Sequence, residues 1–235
     1  MFCVKLILTI SINQIKNYNM KVKNLLAAAA LCLVSGTASA QVNSYGSLYL
    51  QYNPTFMSNL DTYGYDNNYV HGFTLGYFRS IGIGGDNVPL FLEVGGNFNY
   101  GLKTEKLNSV RYTLHTLALN IPVNFGYSIR LGDNLALNPY VGLRMRFNLL
   151  GVETCNVNGI DNTNFFSKDD LYADYTWNRF QIGGSVGVKM IISEAFFVEA
   201  GYTIDFNRLA KTITKYNADV NVNTSSVNLG IGFVF

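Results

Sequence analysis

The sequence predicts an all-β fold, an eight-stranded antiparallel up-and-down transmembrane β-barrel that is preceded by a cleaved signal peptide. Three observations lead to this prediction. The first 40 residues have the order of basic, apolar and small residues that marks a secretory leader. The rest of the chain alternates bulky apolar residues with small or polar ones at a period of two. The links between these segments are alternately short and long.

The leader is the first element in chain order. Lys21 and Lys23 form a basic segment, an apolar run covers residues 25–34, and Ala38-Ser39-Ala40 matches the Ala-x-Ala pattern of signal peptidase. The apolar run is shorter than the ~20 residues that a membrane-spanning helix needs. The pattern therefore predicts export, with cleavage after Ala40.

Cleavage there divides the chain into a leader, residues 1–40, and one β-barrel domain, residues 41–235. We interpret residues 1–19 as an over-long start and residues 20–40 as the signal peptide. The leader holds four of the 17 basic residues and no acidic one, which leaves 13 basic against 15 acidic residues and a formal net charge of −2. A domain so close to neutral lacks the basic stripe that nucleic acid requires, so no nucleic-acid partner is predicted. It keeps one cysteine, Cys155, which we interpret as a spectator loop residue.

The barrel domain contains eight predicted strands. The links after the second, fourth and sixth strands are short, and most of the others are long. An even strand number, with short turns at one rim and long loops at the other, is the layout of bacterial outer-membrane barrels. The predicted strands cover residues 45–53, 70–81, 90–100, 112–129, 135–149, 177–191, 196–207 and 220–235.

Alternation alone does not decide which face of these strands lies inside, because a soluble barrel also alternates. Side-chain size decides it. One face is rich in glycine, and the interior of an eight-stranded barrel only just accommodates side chains. The other face carries Leu, Val, Ile and Phe, a band that water disfavours and lipid requires. We expect the glycine-rich polar face inside, and aromatic girdles near both ends of the apolar face.

Two segments and the C-terminal residue resemble a known family, the small outer-membrane β-barrel proteins common in Bacteroidetes, whose architecture is that of OmpA/OmpX-type barrels of the "porin family". The segments are residues 119–127 (LNIPVNFGY), with an Ile-Pro step, and residues 138–143 (NPYVGL). The resemblance implies a location in the Gram-negative outer membrane, with its lipid and the barrel-assembly machinery as partners. It assigns Phe235 the role of assembly signal. Pro122 removes a ladder donor, so we expect a bulge or an edge-like distortion there.

The candidate site residues are charged groups on the polar face. Because enclosed charges must be paired or hydrated, they predict an ion-pair network that fills the lumen, and Lys189 and Glu199 fall opposite each other when counted from the turn at Ser193. The alternative is a selective polar conduit. The candidates are Glu93, Arg144, Arg146, Arg179, Lys189, Glu199 and Asp205.

Two functions remain open from the sequence. The first is a membrane-anchored structural or interaction protein that binds an unknown extracellular ligand through its loops, and the second is a small porin-like transport protein. No cofactor or metal site is predicted, since the Asn-, Asp- and Tyr-rich loops do not match an EF-hand spacing. No enzyme is predicted either, because His71 and His115 form no motif with Ser or Asp.

Overall fold

β-strands dominate the fold. Along each strand an outward apolar residue is followed by an inward small or polar one, which is the period of an extended chain. A computed structural model describes residues 44–59, 67–83, 89–107, 110–132, 134–156, 163–166, 177–210 and 221–235. The predicted leader, residues 1–40, lies outside the described residues. The strands are β1 Tyr45–Tyr52, β2 Thr55–Met57, β3 Tyr69–Gly82, β4 Leu90–Leu107, β5 Val110–Tyr127, β6 Ile129–Gly132, β7 Leu135–Cys155, β8 Thr163–Asn164, β9 Phe180–Ile192, β10 Phe196–Asp205 and β11 Thr224–Val234.

The sheet closes on itself. Neighbouring strands are antiparallel in the order β1-β11-β10-β9-β7-β5-β4-β3, and β1 also pairs with β3. β2 continues β1 beyond Pro54 and pairs with β3 and β11, and β6 continues β5 along β7. Gly46 and Phe235 exchange two backbone hydrogen bonds of 2.7 and 2.9 Å at the seam. The predicted eight-stranded up-and-down barrel is confirmed, with short β2, β6 and β8 added to it.

The predicted faces are also confirmed. Residues such as Leu143 (62 % exposed) and Ile231 (62 %) project outward, whereas Glu93 and Gln181 are fully buried. Inward glycines leave space that other side chains fill: a Cβ added to Gly76 would lie 2.4 Å from the ring of Tyr49. In the described residues no helix is long and apolar enough to cross a membrane.

Several predicted strand bounds were wrong. β4 runs on to Leu107 and β5 already begins at Val110, so the predicted long link of residues 101–111 is a β-hairpin. β7 continues to Cys155, so Cys155 ends a strand and does not lie in a loop. The register between β7 and β5 shifts where Leu117 and Ala118 of β5 face β7, which marks a bulge. β4, β5 and β7 extend past the other strands because inward and outward residues continue to alternate, now with more polar side chains, after the apolar band ends.

The distortion expected at Pro122 takes a particular form. The β4–β5 ladder is interrupted where Gly95 would face Pro122 and Gly96 would face Ile121, and it resumes in the same register at Asn97. On its other side Pro122 stays in register with Arg144 of β7. The missing N–H of proline therefore opens the ladder locally without inserting a residue.

Candidate functional site

A buried ion pair lies in the lumen, toward the short-turn end. Lys189 Nζ on β9 donates to Glu93 Oε1 on β4 at 2.7 Å, and both side chains are at most 1 % exposed. The two strands are on different sides of the barrel, so this bond crosses the interior. A charge buried this deeply requires a partner of opposite charge, and here each ion is the partner of the other.

The predicted pairing of Lys189 with Glu199 is not the one that forms. The two residues are register partners on β9 and β10, but the ammonium bonds to Glu93. Glu199 accepts hydrogen bonds from Gln51 Nε2 at 2.9 Å and from the Tyr140 hydroxyl at 2.5 Å. Two neutral donors therefore hold the Glu199 carboxylate.

The two lumen arginines of β7 have different partners. Arg144 donates to Asp205 of β10 at 2.7 Å, and Asp205 also accepts a hydrogen bond from Thr224. Arg146 donates to the side-chain oxygens of Asn148 at 2.9 Å and of Asn99 at 3.5 Å. The first is an ion pair, whereas the second guanidinium is held by amide dipoles.

Arg179 does not join this network. It is exposed at the loop rim, and its guanidinium lies over the ring of Phe166 at 4.6 Å from the centroid. The strand that was predicted to carry it inward begins only at Phe180.

An aromatic cluster closes the lumen at the short-turn end. We call it the inner plug, and its buried members are Tyr49, Phe78, Ile191 and Phe197. Tyr49 stacks on Phe78 at 4.7 Å, and the ammonium of Lys189 lies 4.8 Å from the ring centroids of both Phe78 and Phe197. Cation–π contacts thus hold the ammonium of the ion pair between two rings of the plug.

A second apolar cluster closes the loop end. Sequence reasoning missed it, since its members come from strand ends and from segments assigned to loops. Phe165 stacks on Trp177 at 4.5 Å, and β-bridges tie Trp177 to Ala210 and Ala210 to Val222. The signal available was the change from polar to apolar inward residues near the rim. We call this cluster the outer cap, and it consists of Met57, Val70, Leu114, Phe165, Trp177, Leu209, Ala210 and Val222.

A small polar cavity of about 50 Å³ remains between the plug and the cap. Amide side chains line it, and chains of hydrogen bonds connect them, such as Asn120 to Asn97 to Tyr49. Arg144, Arg146 and Glu199 also face it. A volume of this size holds a few water molecules, far less than the continuous column that a pore needs.

The histidines lie outside the lumen, near the loop rim. The Tyr52 hydroxyl shares a hydrogen bond of 2.6 Å with His71 Nδ1, and the Tyr100 hydroxyl shares one of 2.7 Å with His115 Nδ1. Among the described residues no group of three His, Cys, Asp or Glu side chains is placed to hold a metal ion. Cys155 is a half-buried free thiol.

The sequence matches one family model. That model describes the outer membrane protein beta-barrel domain, and the match covers residues 25–235. No curated protein matches the chain.

Several solved structures are similar in fold at low identity. Ail, the attachment invasion locus protein of Yersinia pestis, in complex with the heparin analogue sucrose octasulfate, is 14 % identical, with 83 % of this chain and 100 % of that chain covered and a TM-score of 0.46. Neisserial surface protein A is 16 % identical, with coverages of 82 % and 97 % and a TM-score of 0.41. The outer membrane enzyme PagL is 10 % identical, with coverages of 78 % and 97 % and a TM-score of 0.37.

Proposed function

This chain belongs to the outer membrane protein beta-barrel domain family and is located in the outer membrane, and we propose that it is a membrane-anchored interaction protein whose barrel is closed to solutes. In this account the strands anchor the chain in lipid, and the residues at the loop rim contact an extracellular ligand. In this account the barrel contributes rigidity, and we do not propose an enzymatic activity.

The observation that carries the proposal is the double closure of the lumen. A solute would have to displace the stacked Phe165 and Trp177 at one end and the stacked Tyr49 and Phe78 at the other. At the Tyr49–Phe78 end the Lys189–Glu93 ion pair also crosses the interior. An eight-stranded barrel has an interior that side chains just fill, and here they leave a cavity of about 50 Å³.

The loop rim carries a platform for contacts. Strand extensions raise the β4–β5 hairpin and the end of β7 above the apolar band, and β8 pairs with β7 at Val152 and Glu153. A hydrogen-bonded sheet presents side chains at fixed positions, which lowers the ordering cost of binding a partner. The hairpin tip and the 157–162 loop lie outside the described residues.

We further propose that the chain is exported through cleavage after Ala40 and that Phe235 serves as the signal for the barrel-assembly machinery. Phe235 is 68 % exposed on the outer surface, and its ring lies 6.3 Å from that of Tyr77. The exposure of this aromatic at the seam supports the proposed role, because an assembly factor could hold the last strand there.

The alternative is a small porin-like transport protein, and the polar cavity is the observation that favours it. Arg144, Arg146 and Glu199 around that cavity would suit a hydrated solute. The cavity is too small to conduct as it stands, so transport would require both closures to open.

Surface labelling of single cysteines tests the proposed presentation of the loop rim. In a Cys155→Ser background, Asn156→Cys places a thiol at an exposed position at the end of β7, and Ser193→Cys places one at an exposed position in the short turn. A membrane-impermeant maleimide should label the first variant on intact cells and the second only after the outer membrane is permeabilised. The opposite pattern would place the loop rim in the periplasm and end the proposal.

A further inference from the structure

The outer surface of the β4–β5–β7 extension changes in chemistry with height above the lipid-facing band. Outward residues alternate along each strand, and the register aligns them in rows. The lowest row contains Leu102 between His71 and His115, and the next contains Thr104, Thr113 and Thr154. The top row pairs Lys106 with Arg111, and both are exposed.

The like-charged pair in the top row is the unusual feature. Lys106 and Arg111 are direct register partners on neighbouring strands, which puts their Cα atoms about 5 Å apart. Like charges directly opposite each other in a sheet destabilise it. The described acidic residues of the extension, Glu105 and Glu153, have the opposite parity and so belong to the other face of the sheet. An anion between the two cations would remove the repulsion.

The height of this pair fits lipid headgroups. Lys106 is four residue steps beyond Leu102, about 14 Å along the strand and about 10 Å along the membrane normal for a strand tilted by ~45°. The polar layer of a bilayer begins where the hydrocarbon ends and is about 5–8 Å thick. Long cationic side chains can reach back into that layer from its outer edge.

We propose that Lys106 and Arg111, with the threonine row below them, bind the anionic phosphate headgroup of a membrane lipid in the leaflet at the loop rim. The guanidinium and the ammonium would share the phosphate, and the hydroxyls of Thr104 and Thr113 would donate to its oxygens. The Tyr100–His115 pair lies below, at the hydrocarbon boundary. This inference goes beyond the proposed function, because it assigns a lipid partner to a surface outside the lumen and apart from any extracellular ligand.

The test compares the thermal unfolding of the full chain in two kinds of vesicle, one of phosphatidylcholine and one in which part of it is replaced by phosphatidylglycerol. Wild type should gain about 2–4 °C in the anionic vesicles, the shift expected for a modest stabilisation of a chain this size. Arg111→Gln and Lys106→Gln should each lose most of that gain. In phosphatidylcholine both variants should unfold at the wild-type temperature or above it, since the repulsion is relieved.

Arg208→Gln is the matched control. Arg208 is an exposed arginine at the same rim, just after β10, on the opposite side of the barrel. It should keep the full gain in anionic vesicles, whereas high salt should abolish the gain for wild type. If Arg111→Gln and Lys106→Gln keep the wild-type gain, or if Arg208→Gln loses as much of it as they do, the proposed lipid site is wrong.

Discussion

At the residue scale, Lys189 illustrates which contacts a sequence can predict. Its register opposite Glu199 could be counted from the turn at Ser193, and that register is correct. Its bond to Glu93, 96 positions earlier in the chain, could not be counted, because it depends on how strand tilt and stagger place inward side chains across the lumen. Inward or outward direction is a property of one strand, but pairing across the lumen is a property of the closed barrel.

A double-mutant cycle tests the Lys189–Glu93 pair. Glu93→Leu should destabilise the barrel by about 3–5 kcal/mol, because it leaves a buried ammonium without its carboxylate. Adding Lys189→Met should recover part of that loss, since two apolar side chains replace two ions. Denaturant unfolding of the refolded protein in detergent measures each free energy of unfolding.

Glu199→Gln is the control for this cycle. Its donors are Gln51 and Tyr140, so its coupling to Lys189 should be clearly weaker than that of Glu93. Additive losses for the Glu93 and Lys189 changes, with no coupling, would remove this pair from the account.

At the element scale, the alternation of residue types predicted the strands, their order and their inward faces. It did not predict where the strands end. The apolar band ends near Tyr100 and Leu117, and the sequence beyond it looks like a polar loop. β4 and β5 nevertheless continue as a hairpin, because their backbone ladder remains paired above the membrane. The outer cap escaped prediction for a related reason. Its apolar residues are spread over segments that carry no regular period, and only the closed barrel brings them together.

Two adjacent glycines in β4 offer a matched test of the facing. Gly95 points inward, and a Cβ added there would lie 2.2 Å from the backbone oxygen of Tyr77, whereas a Cβ added to Gly96 would meet no heavy atom within 4 Å. Gly95→Ala should therefore destabilise the barrel by about 1–3 kcal/mol through overpacking. Gly96→Ala should be neutral or slightly stabilising. Heat-dependent mobility on gels reports the folded fraction, and equal losses for the two variants would contradict the assigned faces.

At the scale of the whole molecule, successive layers of side chains occupy the interior of the barrel. The inner plug (which encloses the Lys189–Glu93 pair), the small polar cavity and the outer cap follow one another along the lumen. Aromatic rings stack in the plug and the cap, ions pair across the interior, and amides bond to one another. Such an interior supports a rigid anchor, and the extended strands carry that rigidity to the loop rim.

The central claim of this account is that the barrel is closed, and single-channel recording in planar bilayers tests it most directly. Wild-type protein should show no steady conductance, because buried apolar side chains pack together in both the plug and the cap. The contradicting result would be reproducible conductance steps in wild type that are reduced by Thr203→Phe, which adds bulk beside the cavity. Steps of that kind would show that solutes pass through the lumen, and the transport alternative would replace the anchor.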